Sequence, residues 1–215
     1  MKTNNKPDSS GVQQPRQARS AETLNKVLDA CDRLLADRAF EQISMQDIAR
    51  EAGVSVGNLY NRFTDRDALI DHIINRHQGE FREFMASALE GQEKGLPLFD
   101  RVSVITDTFL IGLANLRPVF ATLVTRSLKG IDPDETSRDG TNEIIELAVS
   151  WLCQQPNEIP GDSASRARFA VASIAFAMQY DLLLGTATRM FGEDYMAKVK
   201  TQAYHYLIHP EETRK

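Results

Sequence analysis

The sequence predicts an all-α fold, a small N-terminal helical domain followed by a larger helical one. Three observations predict it. Apolar residues recur at three- and four-residue steps along most of the chain, the spacing that lines one face of a helix. Glycine (12) and proline (8) are sparse in 215 residues, which leaves room for long helices. No stretch alternates apolar and polar residues between turn signals, so no strand is expected.

Residues 1–18 are polar, contain Pro7, Gly11 and Pro15, and read as a disordered arm. Lys2, Lys6, Arg16 and Arg19 stand there and just beyond against Asp8 alone, so the arm is basic. It is either a solvated leader or a DNA-contacting arm. From Ser20 a helix is expected, with Leu24, Val27, Leu28, Cys31, Leu34 and Leu35 on one face and Cys31 a core thiol. Ser44, with Asp47 three residues on, has the spacing of a capping box, Asp standing in for Glu or Gln. Met45, Ile48, Ala49 and Ala52 give the helix it caps a short apolar face, and Gly53 supplies the positive φ that ends it.

Ser55 caps the next helix, which carries Leu59, Tyr60 and Phe63. Asp65 caps a fourth, with Leu69, Ile70, Ile73, Ile74, Phe81, Phe84 and Met85 inward. Beyond 91–97 the chain becomes more apolar. Helices are expected over 98–116, stopped near Pro118, then 119–128, 134 to about 155, 166–190 as one long apolar helix, and 193–208. The boundaries that follow are 1–18 for the arm, 19–75 for the first domain, its central motif at 44–63, and 76–215 for the second.

Two cysteines, Cys31 and Cys153, argue against a disulfide scaffold. The first twenty residues lack the apolar stretch of a signal peptide, and no apolar run approaches the ~18 residues of a membrane helix. A cytoplasmic protein without membrane contact is expected. Net charge is −5, which disfavours nucleic acid until its distribution is considered.

The informative segment is residues 43–69. A helix-turn-helix needs a small residue where its two helices cross, a residue that tolerates a left-handed turn, and an apolar residue packing the second helix on the first. Ala49, Gly53 and Leu59 meet these needs at the right spacing. In its sequence this segment resembles the TetR family of bacterial transcriptional regulators. Phe40, Ile48, Ala49, Ala52, Gly53, Val54, Ser55, Gly57, Leu59, Tyr60, Phe63 and Arg66 follow the family's N-terminal pattern, and the resemblance covers roughly residues 20–75. Ala39 stands where that family commonly has glycine, and Ser44 where it has threonine.

The resemblance implies a recognition helix entering the major groove of operator DNA. Physical reading of the same residues gives the DNA-binding set. Val56, Gly57 and Asn58 lie in the first turn after the Ser55 cap. Val56 suits a thymine methyl, Gly57 lets the backbone come close, and Asn58 can read a base edge. Tyr60 and Arg62 suit phosphates and Asn61 either target. Ser44 and Gln46 open the supporting helix at its anion-favouring end, and Arg66 replaces a family lysine at a phosphate contact. The plainer reading is a helical hairpin with capping serines.

For the second domain the resemblance implies small-ligand binding and dimerisation. A homodimer interface is expected on the last two long helices, from Phe169, Ser173, Phe176, Tyr180, Leu184, Tyr195, Val199 and Tyr206. A pocket for a small hydrophobic or amphipathic ligand is expected among Phe109, Leu113, Phe120, Leu123, Trp151, Met178 and Tyr180, with Arg126 or Asp181 as polar anchors. Each of these is also a natural core residue. His205 and His209 are one turn apart but lack a third ligand, and no catalytic cluster, phosphate loop or CxxC is present, so no metal, no cofactor and no enzyme activity is expected. The expected function is a repressor released from its operator by ligand. A ligand-independent regulator or activator, and more remotely a helical enzyme or a dimeric scaffold, stay open.

Overall fold

The structure of the protein is a computed structural model. It describes residues 16–114, 116–131, 135–155 and 157–209, the side chains of residues 16–19 and 186 apart. The arm predicted over 1–18 therefore lies outside the described residues but for the backbone from Arg16 onward. Among the described residues every regular element is helical. The chain divides into two compact units between Thr64 and Asp65.

The first unit holds α1 (Arg16–Asp37), a 3-10 turn (Phe40–Gln42), α2 (Met45–Ala52) and α3 (Val56–Tyr60). α1 begins a turn earlier than the apolar periodicity indicates, since polar residues extend a helix without marking it. The predicted inner face of α1 is buried from Val27 to Leu35, and Cys31 lies within it. α1 packs on α2 and α2 on α3. Ala39, where a glycine was the family habit, has φ −63° and ψ 144°. That is ordinary extended backbone, so no glycine is needed.

The second unit holds α4 (Arg66–Glu90), α5 (Leu98–Ala114), α6 (Arg117–Leu128), α7 (Glu135–Leu152), α8 (Ser163–Leu184), α9 (Thr186–Phe191) and α10 (Tyr195–Ile208). α4, α5, α7, α8 and α10 enclose one core that includes Phe81, Met85, Val102, Ile105, Leu152, Val171, Ile174 and Leu207. Pro118 sits in the first turn of α6, where its missing N–H costs nothing, so it opens a helix rather than stopping one.

The long helix expected over 166–190 is two helices. Gly185, at φ 58°, ends α8, and the Asp181 carboxylate accepts hydrogen bonds from the Thr188 N–H (2.9 Å) and hydroxyl (2.5 Å) to begin α9. Side-chain periodicity runs through such a break, so pattern alone misses it. By length and composition α8 is apolar enough to cross a membrane, at a mean hydropathy of 1.3 over 18 residues, a property that buried core helices share. It carries Arg166 and Arg168 and buries Ala167, Ala170, Val171, Ile174, Ala175 and Met178 in the core.

Two close approaches hold this core together. A Cβ on Gly112 of α5 would lie 2.2 Å and 2.5 Å from ring atoms of Phe81 on α4, and 3.2 Å from Phe84. Phe81 is itself buried and meets Phe109 edge-on at 5.5 Å, so its ring has little room to move. Gly112→Ala is expected to cost about 1–3 kcal/mol through this overlap, read as a lowered urea midpoint; an unchanged midpoint would show that α4 and α5 separate freely. Arg166 supplies the second tie. Its buried guanidinium donates to the carbonyls of Tyr206, Leu207 and His209, which closes the C-terminal end of α10 onto α8.

Candidate nucleic-acid interface

Helix α2 starts at a complete capping box. The Ser44 Oγ accepts from the Asp47 N–H (3.1 Å), and the Asp47 carboxylate accepts from the Ser44 N–H (3.0 Å) and hydroxyl (2.6 Å). The same carboxylate pairs with Arg50. The Ser44 hydrogen bonds, with the Arg50 guanidinium behind them, hold the Asp47 carboxyl at about 2, below its ordinary 3.8.

Because the folded value is the lower one, the interaction stabilises the protein above pH 3.8 and is lost as pH falls toward 2. Thermal melts of the wild type and Asp47→Asn across that window should converge on acidification, the variant lacking this part of the pH dependence. Parallel curves would contradict the assignment.

Gly53 ends α2 at φ 67°, ψ 32°, in the left-handed region that favours glycine. The chain turns there, and Val54 N–H returns to the Ala49 carbonyl (3.0 Å). Ser55 then caps α3, its Oγ accepting from the Asn58 N–H (3.2 Å). Ala49 is buried at the supporting helix, as a close crossing requires. Of the five residues of α3 only Leu59 is buried, and it is fully so. Gly57, Asn58, Tyr60 and Asn61 are exposed, as are Gln46 and Ser55, while Ser44, Val56 and Arg62 are half-buried. Phe63, expected inside the second helix, follows it and is buried from the turn beyond. Arg66 opens α4 in the second unit and is half-buried.

This arrangement presents a backbone-accessible glycine, an amide and a phenol from one short helix on a rigid support. Such a set suits hydrogen bonding and close approach rather than bond making. One feature escaped the sequence. Arg62, just past α3, donates from one Nη to both the Ser20 carbonyl (2.8 Å) and the Ser20 hydroxyl (2.8 Å). The two residues lie 42 apart, and neither residue type nor local spacing marks the pair.

In the second unit Phe109, Leu113, Trp151 and Met178 fall in one core, with Phe120 packed against it and Leu123 half-buried. Tyr180 stands outside that group, exposed. The intended polar anchors are engaged. Arg126 is buried, with Nη1 on Asp71 (2.7 Å) and Nε 3.8 Å from Asp67, and Asp181 serves Thr188. A separate cleft of about 210 Å³ opens between α4 and α5 beside Phe81, Phe84 and Ile111.

On the outer side of α8, Phe169, Ser173, Phe176, Tyr180 and Leu184 are all exposed, Phe176 to 69%. Phe169 meets Tyr206 of α10 at 4.9 Å, and a groove of about 280 Å³ between the two helices is lined in part by Tyr195 and Val199. Cys153, half-buried, lies 3.6 Å from the Ser163 carbonyl, and burial pushes its thiol up from the ordinary value, which makes it a poor nucleophile.

Residues 27–73 match the model for "Bacterial regulatory proteins, tetR family". The chain is 28% identical over 113 residues to an HTH-type transcriptional regulator of Haemophilus influenzae, covering 52% of this chain and 54% of that protein. It is 31% identical over 71 residues to the HTH-type transcriptional repressor KstR2 of Rhodococcus jostii, covering 31% and 35%. The chain thus spans about half the length, or less, of these curated relatives. Among solved structures it is similar to a transcriptional regulator of the TetR family from Vibrio parahaemolyticus, with a TM-score of 0.58 at 20% identity, over 86% of this chain and 98% of that one. At that identity the likeness is one of fold.

Proposed function

From a chain that belongs to the tetR family of bacterial regulatory proteins, we propose a DNA-binding transcription regulator, a repressor that a small molecule releases from its operator. One observation carries the reading. The α2–Gly53–α3 turn buries Leu59 alone from α3 and leaves Gly57, Asn58 and Tyr60 facing outward.

In this account α3 enters the major groove, Asn58 reads a base edge and Val56 meets a thymine methyl. Tyr60, Asn61, Gln46, Ser44 and Arg66 hold the backbone phosphates. Two copies pair through α8 and α10, whose exposed aromatic stripe favours burial, and so present two recognition helices to half-sites about 34 Å apart or more. The protein works by binding rather than catalysis, in the cytoplasm where its DNA is.

A hydrophobic or amphipathic ligand enters beside Phe109, Leu113, Trp151 and Met178, and Arg126 can anchor it only on releasing Asp71. Ligand then favours a state with misplaced recognition helices, and operator affinity falls by its differential affinity for the two states.

Fluorescence anisotropy of the purified protein on the DNA beside its own gene, across a salt series, tests this. Selective binding that weakens steeply with salt, and that Asn58→Ala or Tyr60→Ala reduces, is the expected result. A folded dimer with no DNA affinity at any salt would overturn it.

A further inference from the structure

Helix α3 has five residues and one buried side chain, Leu59. Its first turn is closed by the Ser55 Oγ on the Asn58 N–H, and its last by the Asn61 N–H on the Gly57 carbonyl (3.0 Å). Those bonds lie within the helix and its caps and turn with it. A helix seated on a single buried side chain can rock about it. Groups that recognise a partner must be held within about 0.5 Å and about 10–20° of their working geometry. Contacts with the rest of the unit therefore decide how well α3 is aimed.

At the entry, the Val54 N–H on the Ala49 carbonyl (3.0 Å) joins the chain to α2. At the exit Phe63 is buried, and the side chain before it crosses to α1. One Nη of Arg62 donates to the Ser20 carbonyl and to the Ser20 hydroxyl, at 2.8 Å each. α1 is a firm place to tie to. It is a helix of 22 residues, it packs on α2, and its Val27, Leu28, Cys31, Leu34 and Leu35 are buried. Ser20 is exposed, and serine forms helix less well than alanine. Neither burial nor helix stability accounts for its hydroxyl; the bond from Arg62 does.

A phosphate is the other partner an arginine beside DNA would take. A guanidinium kept for that partner holds its donors in water until DNA arrives. Arg62 is half-buried and already donates to two uncharged oxygens of one residue. Both bonds have the strength of a charged donor, and the carbonyl is fixed by the α1 backbone. Breaking them to reach a phosphate exchanges two charge-assisted bonds for a contact of the same kind, with little net gain.

We infer that Arg62 is a positioning residue of the DNA-binding site and acts through Ser20. The pair ties the exit of α3 to α1 and, with Leu59 and Phe63, sets the angle at which Val56 and Asn58 meet the base edges. Base contacts carry sequence information and phosphate contacts do not, so losing the tie costs selectivity first. The inference rests on the DNA-binding reading above. It moves Arg62 from the phosphate contacts that its residue type suits to the support behind the recognition helix.

The test takes the full-length wild type, Ser20→Ala, Arg62→Ala and the double variant. Each is measured across a salt series on a duplex that the wild type enriches from a random-sequence pool, and on a scrambled duplex. Ser20→Ala removes an acceptor and no charge. It should bind the enriched duplex about threefold or more weakly. On the scrambled duplex it should match the wild type in affinity and in salt slope. Arg62→Ala should lose about tenfold on the enriched duplex and distinctly less on the scrambled one. In the double variant, Ser20→Ala should add less than about twofold, since its partner is already gone.

An Arg62→Ala loss that is equal on both duplexes, with the slope lower by about 0.9, would put Arg62 on a phosphate and overturn the inference. So would losses that multiply in the double variant. Should Arg62→Ala melt early, Ser20→Ala decides alone, because it removes only an exposed hydroxyl and selectivity is what is read. A loss confined to the enriched duplex supports the tie; wild-type binding, or an equal loss on both duplexes, overturns it. In all these cases the wild type still selects a duplex and the regulator stands. A wild type that enriches no duplex overturns both.

Discussion

Leu59→Ala is expected to destabilise the first unit by about 3 kcal/mol or more and to abolish DNA binding. Leu59 is fully buried and is the one buried side chain of α3, a helix of five residues. So short a helix has no stability of its own, because nucleation outweighs its few internal hydrogen bonds. Its hold on the support comes from Leu59, from the Ser55 cap and from the Phe63 turn that follows. Truncation removes most of the buried apolar surface of α3 and leaves a cavity beside α2. Denaturant unfolding followed by circular dichroism gives the stability, and anisotropy on DNA the function. Asn58→Ala, at an exposed position, should leave the melt unchanged while it weakens binding. A Leu59→Ala protein that melts and binds as the wild type does would mean that α3 is held by something else.

The second large effect lies in the other unit and concerns a buried ion. Arg101 on α5 is 2% exposed, and its guanidinium pairs with Glu158 in the loop after α7. Its Nε and second Nη have no hydrogen-bond partner among the described residues. The cation is therefore balanced from one side only. Glu158→Gln keeps the shape and one acceptor but removes the countercharge, and is expected to cost about 3 kcal/mol. Arg101→Met removes the charge together with its desolvation and should come out near neutral, since an apolar side chain of similar length fills the site. Chemical denaturation of both variants decides. Equal losses for both would show that the pair is ordinary packing, and a larger loss for Arg101→Met would reverse the account.

Much of this was legible in the residues. Ser44, Gly53, Ser55 and Asp65 mark helix ends by local chemistry, and each does in the structure what its side chain or its lack of one dictates. Ala49 and Leu59 are buried because their spacing across a tight turn leaves them nowhere else. What failed to show was non-local or concealed by periodicity. The break at Gly185 sits inside an unbroken apolar pattern, and the Asp181–Thr188 bonds that fix it form only once the chain has turned. The Arg126–Asp71 pair joins residues 55 positions apart. The Arg62–Ser20 and Arg101–Glu158 pairs join residues 42 and 57 apart, which no local spacing reveals.

The central claim is that the exposed side of α3 is shaped for close contact with DNA rather than for the stability of the fold, and Gly57 separates the two. A Cβ there meets nothing within 4 Å, and its φ is not in the left-handed region, so the folded protein tolerates a side chain. Replacing a helical glycine should even stabilise by up to about 1 kcal/mol. The measurement is the melting temperature of Gly57→Leu together with its affinity for a duplex that the wild type enriches from a random-sequence pool. An equal or higher melting temperature with at least tenfold weaker binding, about 1.4 kcal/mol, is the predicted result. Unchanged affinity from a folded Gly57→Leu protein would contradict the claim that this helix lies against DNA.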